Sequence, residues 1–223
     1  MPASVCRWVS YRIKYYVIRK SEKTSGGICI RIKICGITCQ EDARLADHAG
    51  ADAIGVVLFS DSPRSVSPEK AKEIFKAAGP YMGRVCVSHT DSSEDLAQIL
   101  DLHPTAIQIS YPHTLPEDRT VQVIRVIKPG DPIPQSADAI IVDASMGKGT
   151  LYDHTYAQQI IAMSKIPVIL AGGLNPENVS EAVRTLRPYA VDVASGVESA
   201  PGIKDQKKVL SFVKNAREAE YGA

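Results

Sequence analysis

The pattern of apolar and polar positions repeats one unit along most of the chain. Each unit has a short run rich in β-branched residues, a small or polar turn, and then a segment with helical periodicity. Such runs predict eight strands, at 31–35, 53–59, 84–88, 105–109, 121–127, 139–143, 167–171 and 190–194. The amphipathic segments predict helices at 40–49, 68–78, 93–102, 152–163, 175–187 and 205–217, with little or no helix after the fourth and fifth strands.

Alternation of strands and helices in most of the units favours parallel strands joined by right-handed crossovers. Eight such units predict an α/β fold, namely a single compact (β/α)8 barrel, or TIM barrel. The 223 residues suit one domain of this kind better than two domains. An open doubly wound sheet is the alternative, although no Gly-x-Gly-x-x-Gly sequence follows the first strand.

The first 30 residues do not follow the repeat. They carry six basic residues and one acidic residue, so the net charge of +1 combines a basic segment with a mildly acidic remainder. We therefore divide the chain into a basic N-terminal extension at 1–30, expected to be peripheral or disordered, and a barrel domain at 31–223. A transit peptide is an alternative for this segment, but the segment is rich in tyrosine rather than serine.

Composition excludes several classes of function. A net charge of +1 argues against a nucleic-acid partner. No apolar run approaches the roughly 20 residues of a membrane-spanning helix, so no membrane partner is expected. The five cysteines are odd in number and scattered, which favours a reducing, cytoplasmic location over a disulfide framework. Cys35 and Cys39 have no distant Cys/His pair to complete a zinc site, so no metal is predicted.

Reactive groups of such a barrel are expected at the carboxyl ends of its strands. Candidates at these positions are Cys35, Arg64, Ser88, Gln108–Ser110, Asp143, Gly172–Gly173 and Ser195–Gly196. Glycine turns after the last two strands suit a phosphate group, because backbone N–H groups can approach its oxygens there. Lys148, in the loop after the sixth strand, could meet an anionic substrate.

Each of these residues also has a purely structural interpretation. Cysteine is a common buried residue, so Cys35 could be inert. Asp143 ends an apolar run and could simply face polar atoms of a loop, although burying it unpaired would be costly. Tight turns in a barrel call for glycine with or without a ligand.

The order of several motifs resembles one enzyme family, the phosphoribosylanthranilate isomerases, between residues 31 and 217. The motifs that carry the resemblance are Lys33-Ile-Cys-Gly-Ile-Thr38, Gly50-Ala-Asp-Ala-Ile-Gly-Val-Val57, Ser62-Pro-Arg64-Ser, Ser67-Pro-Glu69, Ala171-Gly-Gly-Leu-Asn-Pro-Glu-Asn178, Val191-Asp-Val-Ala-Ser-Gly-Val-Glu198 and Gly202-Ile-Lys-Asp205.

The resemblance implies an Amadori rearrangement that belongs to tryptophan biosynthesis. N-(5-phosphoribosyl)anthranilate would become 1-(2-carboxyphenylamino)-1-deoxyribulose 5-phosphate. By resemblance, Cys35 is the general base, Asp143 is the general acid and Arg64 contacts the anthranilate carboxylate. The further substrate-binding residues implied are Gly172, Gly173, Asp192, Ser195 and Gly196. No metal or organic cofactor is implied, and no role is expected for Lys33 beside Cys35. The expected partner is a small phosphosugar, and both a monomer and a homodimer are compatible with the sequence.

The chain departs from the family pattern at the fourth strand, where Gln-Leu-His-Gly is usual and Gln108-Ile-Ser110-Tyr111 stands here. The third strand, the compact loop after Asp143 and the N-terminal extension also depart from it. Other phosphate-binding barrels are alternatives: indole-glycerol-phosphate synthase would need lysines at strand ends, and ribulose-phosphate epimerase would need metal-binding histidines. His89 and His113 are the nearest histidines to strand ends, and we expect both to be solvated. A non-catalytic phosphosugar-binding protein or basic-tailed adaptor would not need Cys35, Asp143 and Arg64 together.

Overall fold

The computed structural model describes residues 30–115, 119–134, 136–143 and 154–219. Eight parallel strands within these ranges close into a barrel in sequence order. They are β1 (Arg31–Cys35), β2 (Ala53–Val57), β3 (Gly83–Ser88), β4 (Ala106–Ile109), β5 (Gln122–Ile127), β6 (Ala139–Asp143), β7 (Val168–Ala171) and β8 (Ala190–Val193). The predicted eight-stranded barrel is confirmed. The predictions for residues 1–29 and for Lys148 fall outside the described residues.

Helices follow six of the strands in the described ranges and cover the outside of the barrel. They are α1 (Gln40–Ala49), α2 (Pro68–Ala77), α3 (Ser93–Asp101), α4 (His154–Met163), α5 (Val179–Leu186) and α6 (Gln206–Arg217). Three of these helices, α2, α3 and α6, are capped at their N-termini. In each, the side chain just before the helix accepts a hydrogen bond from the backbone N–H three residues later; these capping residues are Ser67, Ser92 and Asp205. The longest described helix has 12 residues, and none of the described helices is long and apolar enough to cross a membrane.

Two apolar layers hold the barrel together. One lies between the strands and the helices and includes Phe212, which is fully buried. The other fills the barrel interior with alternate strand residues such as Val85, Val87 and Ile141. Because side chains alternate along a strand, this interior layer also fixes which polar residues point inward. The barrel is therefore a packed core whose open end lies at the carboxyl ends of the strands.

The segment after β7 differs from its prediction. The helix was expected to open at Asn175, but α5 begins at Val179. Asn175 and Asn178 exchange side-chain hydrogen bonds with each other's backbone N–H groups, at 3.0 and 2.8 Å. Asparagine side chains often bond nearby backbone in this way, and this stabilises a turn in place of the first helical turn.

A second difference lies after β8. A 3-10 turn at Ser195–Val197 leads into a small antiparallel hairpin of β9 (Glu198–Ala200) and β10 (Ile203–Lys204). Its turn is Pro201-Gly202, with Gly202 at φ +81°. Proline followed by glycine suits a tight turn, so the sequence contained a signal for this hairpin.

Candidate active site

Cys35 is the last residue of β1 and points into the barrel, where it is 7% exposed. Gly36 follows it with φ +73°, a conformation that glycine adopts without strain. A Cβ at Gly36 would lie 2.5 Å from Cδ of Arg64. Glycine at this position thus lets the Arg64 side chain lie across the end of β1, beside the thiol.

Asp143 is the last residue of β6, and its side chain is half-buried. Ala139 and Ile141 belong to the interior layer, so alternation points Asp143 inward as well. The barrel order puts β7 and β8 between β6 and β1. The predicted acid and base therefore stand on either side of the two strands that carry the glycine turns.

The two glycine turns approach each other closely. Gly172 and Gly173 follow β7 with φ of +88° and +66°. A Cβ at Gly196, in the 3-10 turn after β8, would overlap the carbonyl oxygen of Leu174. Only glycine fits there, and its small size lets the backbone of Ser195–Gly196 pack against the segment after Gly173. The structure thus brings together the two glycine turns that the sequence predicted to suit a phosphate group.

Arg64 is held by a carboxylate that the sequence interpretation did not include. Its Nε and Nη2 donate to Oε1 and Oε2 of Glu198, on β9, at 2.9 and 2.6 Å. Lys204, on β10, donates to Oε1 of the same carboxylate at 2.8 Å and is completely buried. Burial by itself would raise the pKa of Glu198, but the hydrogen bonds from Arg64 and Lys204 hold that pKa below its usual value. This network ties the loop after β2 to the hairpin after β8.

Asp192 lies inside the barrel on β8, where its Oδ1 accepts a hydrogen bond from Nζ of Lys33 at 2.8 Å. Lys33 shares the inward face of β1 with Cys35, and Cys35 is one of the groups that raise the pKa of Lys33. The sequence analysis expected no role for Lys33 beside Cys35, whereas the structure puts both side chains against the same inward position at Gly55. The alternation of the Arg31–Cys35 segment already put both residues on one face of the strand.

The opposite side of the mouth carries histidine, serine and glutamine side chains. His89 is exposed, and its Nδ1 lies 2.6 Å from Oγ of Ser110, the residue that departs from the family pattern. Nε2 of His113 lies 2.9 Å from the carbonyl oxygen of Thr90. Gln108 points into the barrel, and its buried Oε1 has no hydrogen-bond partner among the described residues. Ser88 is completely buried, on the face of β3 opposite to Val87, so it does not reach the mouth.

Sequence reasoning thus assigned no role to three charged side chains on this side of the mouth: Lys33, Glu198 and Lys204. Glu198 lay within a quoted motif but received no role. Glu198 and Arg64 are 134 residues apart along the chain, so no local sequence pattern could indicate that they pair. Among the described residues, no group of three or more His, Cys, Asp or Glu side chains is arranged to hold a metal ion.

Comparison with known proteins identifies the relatives of this chain. The family model described as N-(5'phosphoribosyl)anthranilate (PRA) isomerase matches residues 32–215. The N-(5'-phosphoribosyl)anthranilate isomerase of Methanoregula boonei is 55% identical over 194 residues, which cover 86% of this chain and 100% of that protein.

Solved structures give the same result. The crystal structure of phosphoribosyl anthranilate isomerase from Thermus thermophilus is 36% identical, with a TM-score of 0.73, covering 83% of this chain and 98% of that one. A phosphoribosyl anthranilate isomerase solved in complex with reduced 1-(o-carboxyphenylamino)-1-deoxyribulose 5-phosphate is 31% identical, with a TM-score of 0.68, covering 84% and 98%. The extent of these matches shows that the chain belongs to the N-(5'-phosphoribosyl)anthranilate isomerase family.

Proposed function

We propose that this chain converts N-(5'-phosphoribosyl)anthranilate to 1-(2-carboxyphenylamino)-1-deoxyribulose 5-phosphate, with Cys35 as general base and Asp143 as general acid. The observation that carries the assignment of roles is geometric. An inward thiol on β1 and an inward carboxyl group on β6 flank the paired glycine turns of β7 and β8. A phosphate held at those turns would place the sugar between the two groups.

The reaction needs one proton given and one proton taken. Asp143 donates a proton to the furanose ring oxygen, the C1–O bond breaks, and the nitrogen of the substrate forms a Schiff base with C1. The thiolate of Cys35 then takes the proton from C2, and the electron pair moves toward the nitrogen to give an enolamine that becomes the ketone. Correctly placed acids and bases contribute about 10²–10⁴-fold each.

Backbone groups and one guanidinium would bind the two ends of the substrate. The N–H groups of Gly173, Ser195 and Gly196 would face the phosphate, with Gly172 giving the turn its conformation. Arg64 would bind the anthranilate carboxylate, since a guanidinium offers five N–H donors and Glu198 takes two of them. Glu198 and Gly36 hold that guanidinium beside Cys35. A direct contact of Asp192 with the substrate stays a prediction. One oxygen of Asp192 already accepts a hydrogen bond from Lys33, so only the other oxygen would be available to the substrate.

The test uses the purified full chain and freshly generated N-(5'-phosphoribosyl)anthranilate, and it follows the change in anthranilate fluorescence with time. We expect turnover above the uncatalysed rate, and its absence would overturn the proposed function. Cys35→Ala and Asp143→Asn should each lose at least about 10²-fold in kcat.

A thiol outside the barrel interior provides the matched control. Cys86 is buried on β3 within the layer that faces the helices. Cys86→Ala should keep kcat near that of the wild type, since it removes a thiol without touching the mouth. Full activity of Cys35→Ala would refute the role of Cys35 as base, whatever the control shows.

A further inference from the structure

A lysine and an aspartate form a buried ion pair inside the barrel, directly below the mouth. Lys33 and Asp192 are 4% and 7% exposed, and Nζ of Lys33 lies 2.8 Å from Oδ1 of Asp192. They are also paired neighbours in the β1–β8 register. Taking two charges out of water is expensive, and an apolar pair of similar volume would often stabilise a core as well or better. The pair therefore calls for a reason beyond packing.

The geometry around Gly55 connects this pair to Cys35. Gly55 is the register partner of Cys35 on β2 and points into the barrel. A Cβ built on Gly55 would lie 2.8 Å from Sγ of Cys35 and 2.9 Å from Nζ of Lys33. The thiol and the ammonium thus lie beside the same small space at Gly55. Sγ of Cys35 and Nζ of Lys33 cannot be further apart than these two distances added together. Glycine at position 55 leaves that space open.

Burial and the nearby positive charge change the pKa of the Cys35 thiol in opposite directions. Burial raises the pKa of Cys35, and the positive charge of Lys33 opposes that rise. Burial alone would lower the pKa of Lys33, but Asp192, followed by Cys35, raises it above its usual value, so Lys33 stays protonated. Other charged groups also face the thiol. Asp192 raises the pKa of Cys35, and Lys204 lowers it. The guanidinium of Arg64 interacts electrostatically with Cys35 as well.

We propose that Lys33 is a positioning residue that holds its ammonium group beside Cys35 and stabilises the thiolate, and that Asp192 fixes Lys33 in that place. The catalytic meaning of this inference rests on the proposed function, in which the Cys35 thiolate is the base. The electrostatic part concerns the free enzyme and is testable without any substrate.

The test measures how fast iodoacetamide alkylates Cys35 across a pH series, with the modified peptide quantified by mass spectrometry. Lys33→Met removes the charge from a side chain of similar length. We expect its alkylation profile to move to higher pH by at least about one unit, which is about tenfold less alkylation of Cys35 at neutral pH. Lys33→Arg keeps the charge and should restore most of the profile. Lys70→Met, which removes an exposed lysine on α2, is the matched control and should leave the profile unchanged.

A double variant separates this role from a structural one. Lys33→Met leaves Asp192 buried without its partner, whereas Lys33→Met combined with Asp192→Asn removes both charges and restores neutrality. If the pair serves only the fold, the double variant should recover the stability and the pH profile of the wild type together. The inference expects stability to recover while the alkylation profile stays at higher pH. A wild-type profile in either folded Lys33→Met variant would overturn it.

The pH dependence of kcat/KM gives an independent reading, because its lower limb reports the free-enzyme base. That limb should move to higher pH in Lys33→Met and stay in place in Lys70→Met. Loss of turnover in the wild type with an intact alkylation shift would reject the proposed function alone. Wild-type turnover with no alkylation shift would reject the role of Lys33 alone.

Discussion

The side of the barrel mouth formed by β1, β2 and β8 differs chemically from the side formed by β3, β4 and β5. On the first side, Lys33 pairs with Asp192 inside the barrel, and Glu198 bridges Arg64 and Lys204 above it. The second side is lined by Val85, Val87 and Ile124, with an uncharged amide at Gln108. Among the described residues, the buried charged side chains are Lys33, Asp192, Glu198 and Lys204, all on the first side.

The barrel thus buries charged side chains on one side only among the described residues, although burying charge is unfavourable for stability. A barrel interior is stable when apolar side chains fill it, as on the β3–β5 side. Burying a paired charge gains little stability over a well-packed apolar pair. The buried charges lie around Cys35, and we attribute their arrangement to the chemistry proposed for that sulfur rather than to the needs of the fold.

The largest effect should come from breaking the network at Glu198. Glu198→Gln leaves the buried Lys204 ammonium, and Arg64 beside it, without their shared carboxylate. We expect a loss of about 3–5 kcal/mol in the free energy of unfolding, measured by urea denaturation. Glu73→Gln is the control, because Glu73 forms an exposed pair with Lys70 that should contribute about 0.5 kcal/mol or less. A loss at Glu198 no greater than that at Glu73 would contradict the comparison.

The stabilities of the wild type and of Glu198→Gln should depend differently on pH in the acidic range. The folded protein holds the pKa of Glu198 below its usual value of 4.5, so the folded state favours the carboxylate. That contribution is complete above the unfolded pKa and disappears as pH falls through the folded pKa. The gap in stability between wild type and Glu198→Gln should therefore narrow as the pH drops below about 4.5, and a gap that stays constant would contradict this assignment.

A smaller loss is expected for Gly55→Ala, on the same side. The new Cβ would press on both Cys35 and Lys33, and crowding of a packed interior costs about 1–3 kcal/mol. Because the displaced atoms include the thiol, kcat should fall as well.

Gly79→Ala is the matched control for this change. Its Cβ would meet the exposed carboxylate of Asp47, which can move aside. Urea denaturation and the fluorescence assay check both variants. Unchanged stability and kcat in Gly55→Ala would show that the space between thiol and ammonium is not tightly filled.

The smallest effect is expected on the β3–β5 side, from Gln108→Leu. The Oε1 atom of Gln108 is buried, and no described residue donates a hydrogen bond to it. Replacing the amide with an apolar side chain of similar size therefore removes an unsatisfied group. We expect unfolding stability to stay the same or to rise by about 1 kcal/mol. A clear destabilisation would show that this side also depends on polar contacts, and a large fall in kcat would make Gln108 part of the site.

Local patterns were sufficient to place the elements within a few residues. The alternation in Arg31–Cys35 and the apolar run of Ala139–Asp143 predicted β1 and β6 with the bounds that the structure shows. The start of α5 was less predictable, because the side chains of Asn175 and Asn178 compete with helical hydrogen bonds. The β9–β10 hairpin was missed, since strands of three and two residues are too short to show a period.

By itself, the sequence determined the barrel, the positions of Cys35 and Asp143 at strand ends, and the two glycine turns, because each depends on a pattern within one strand–turn–helix unit. Only the tertiary structure decided which charges surround the thiol. Lys33 and Asp192 are 159 residues apart, and Arg64 and Glu198 are 134 apart. Such partners meet only when β8 closes against β1, and a periodic pattern carries no record of which side chains that closure brings within 3 Å.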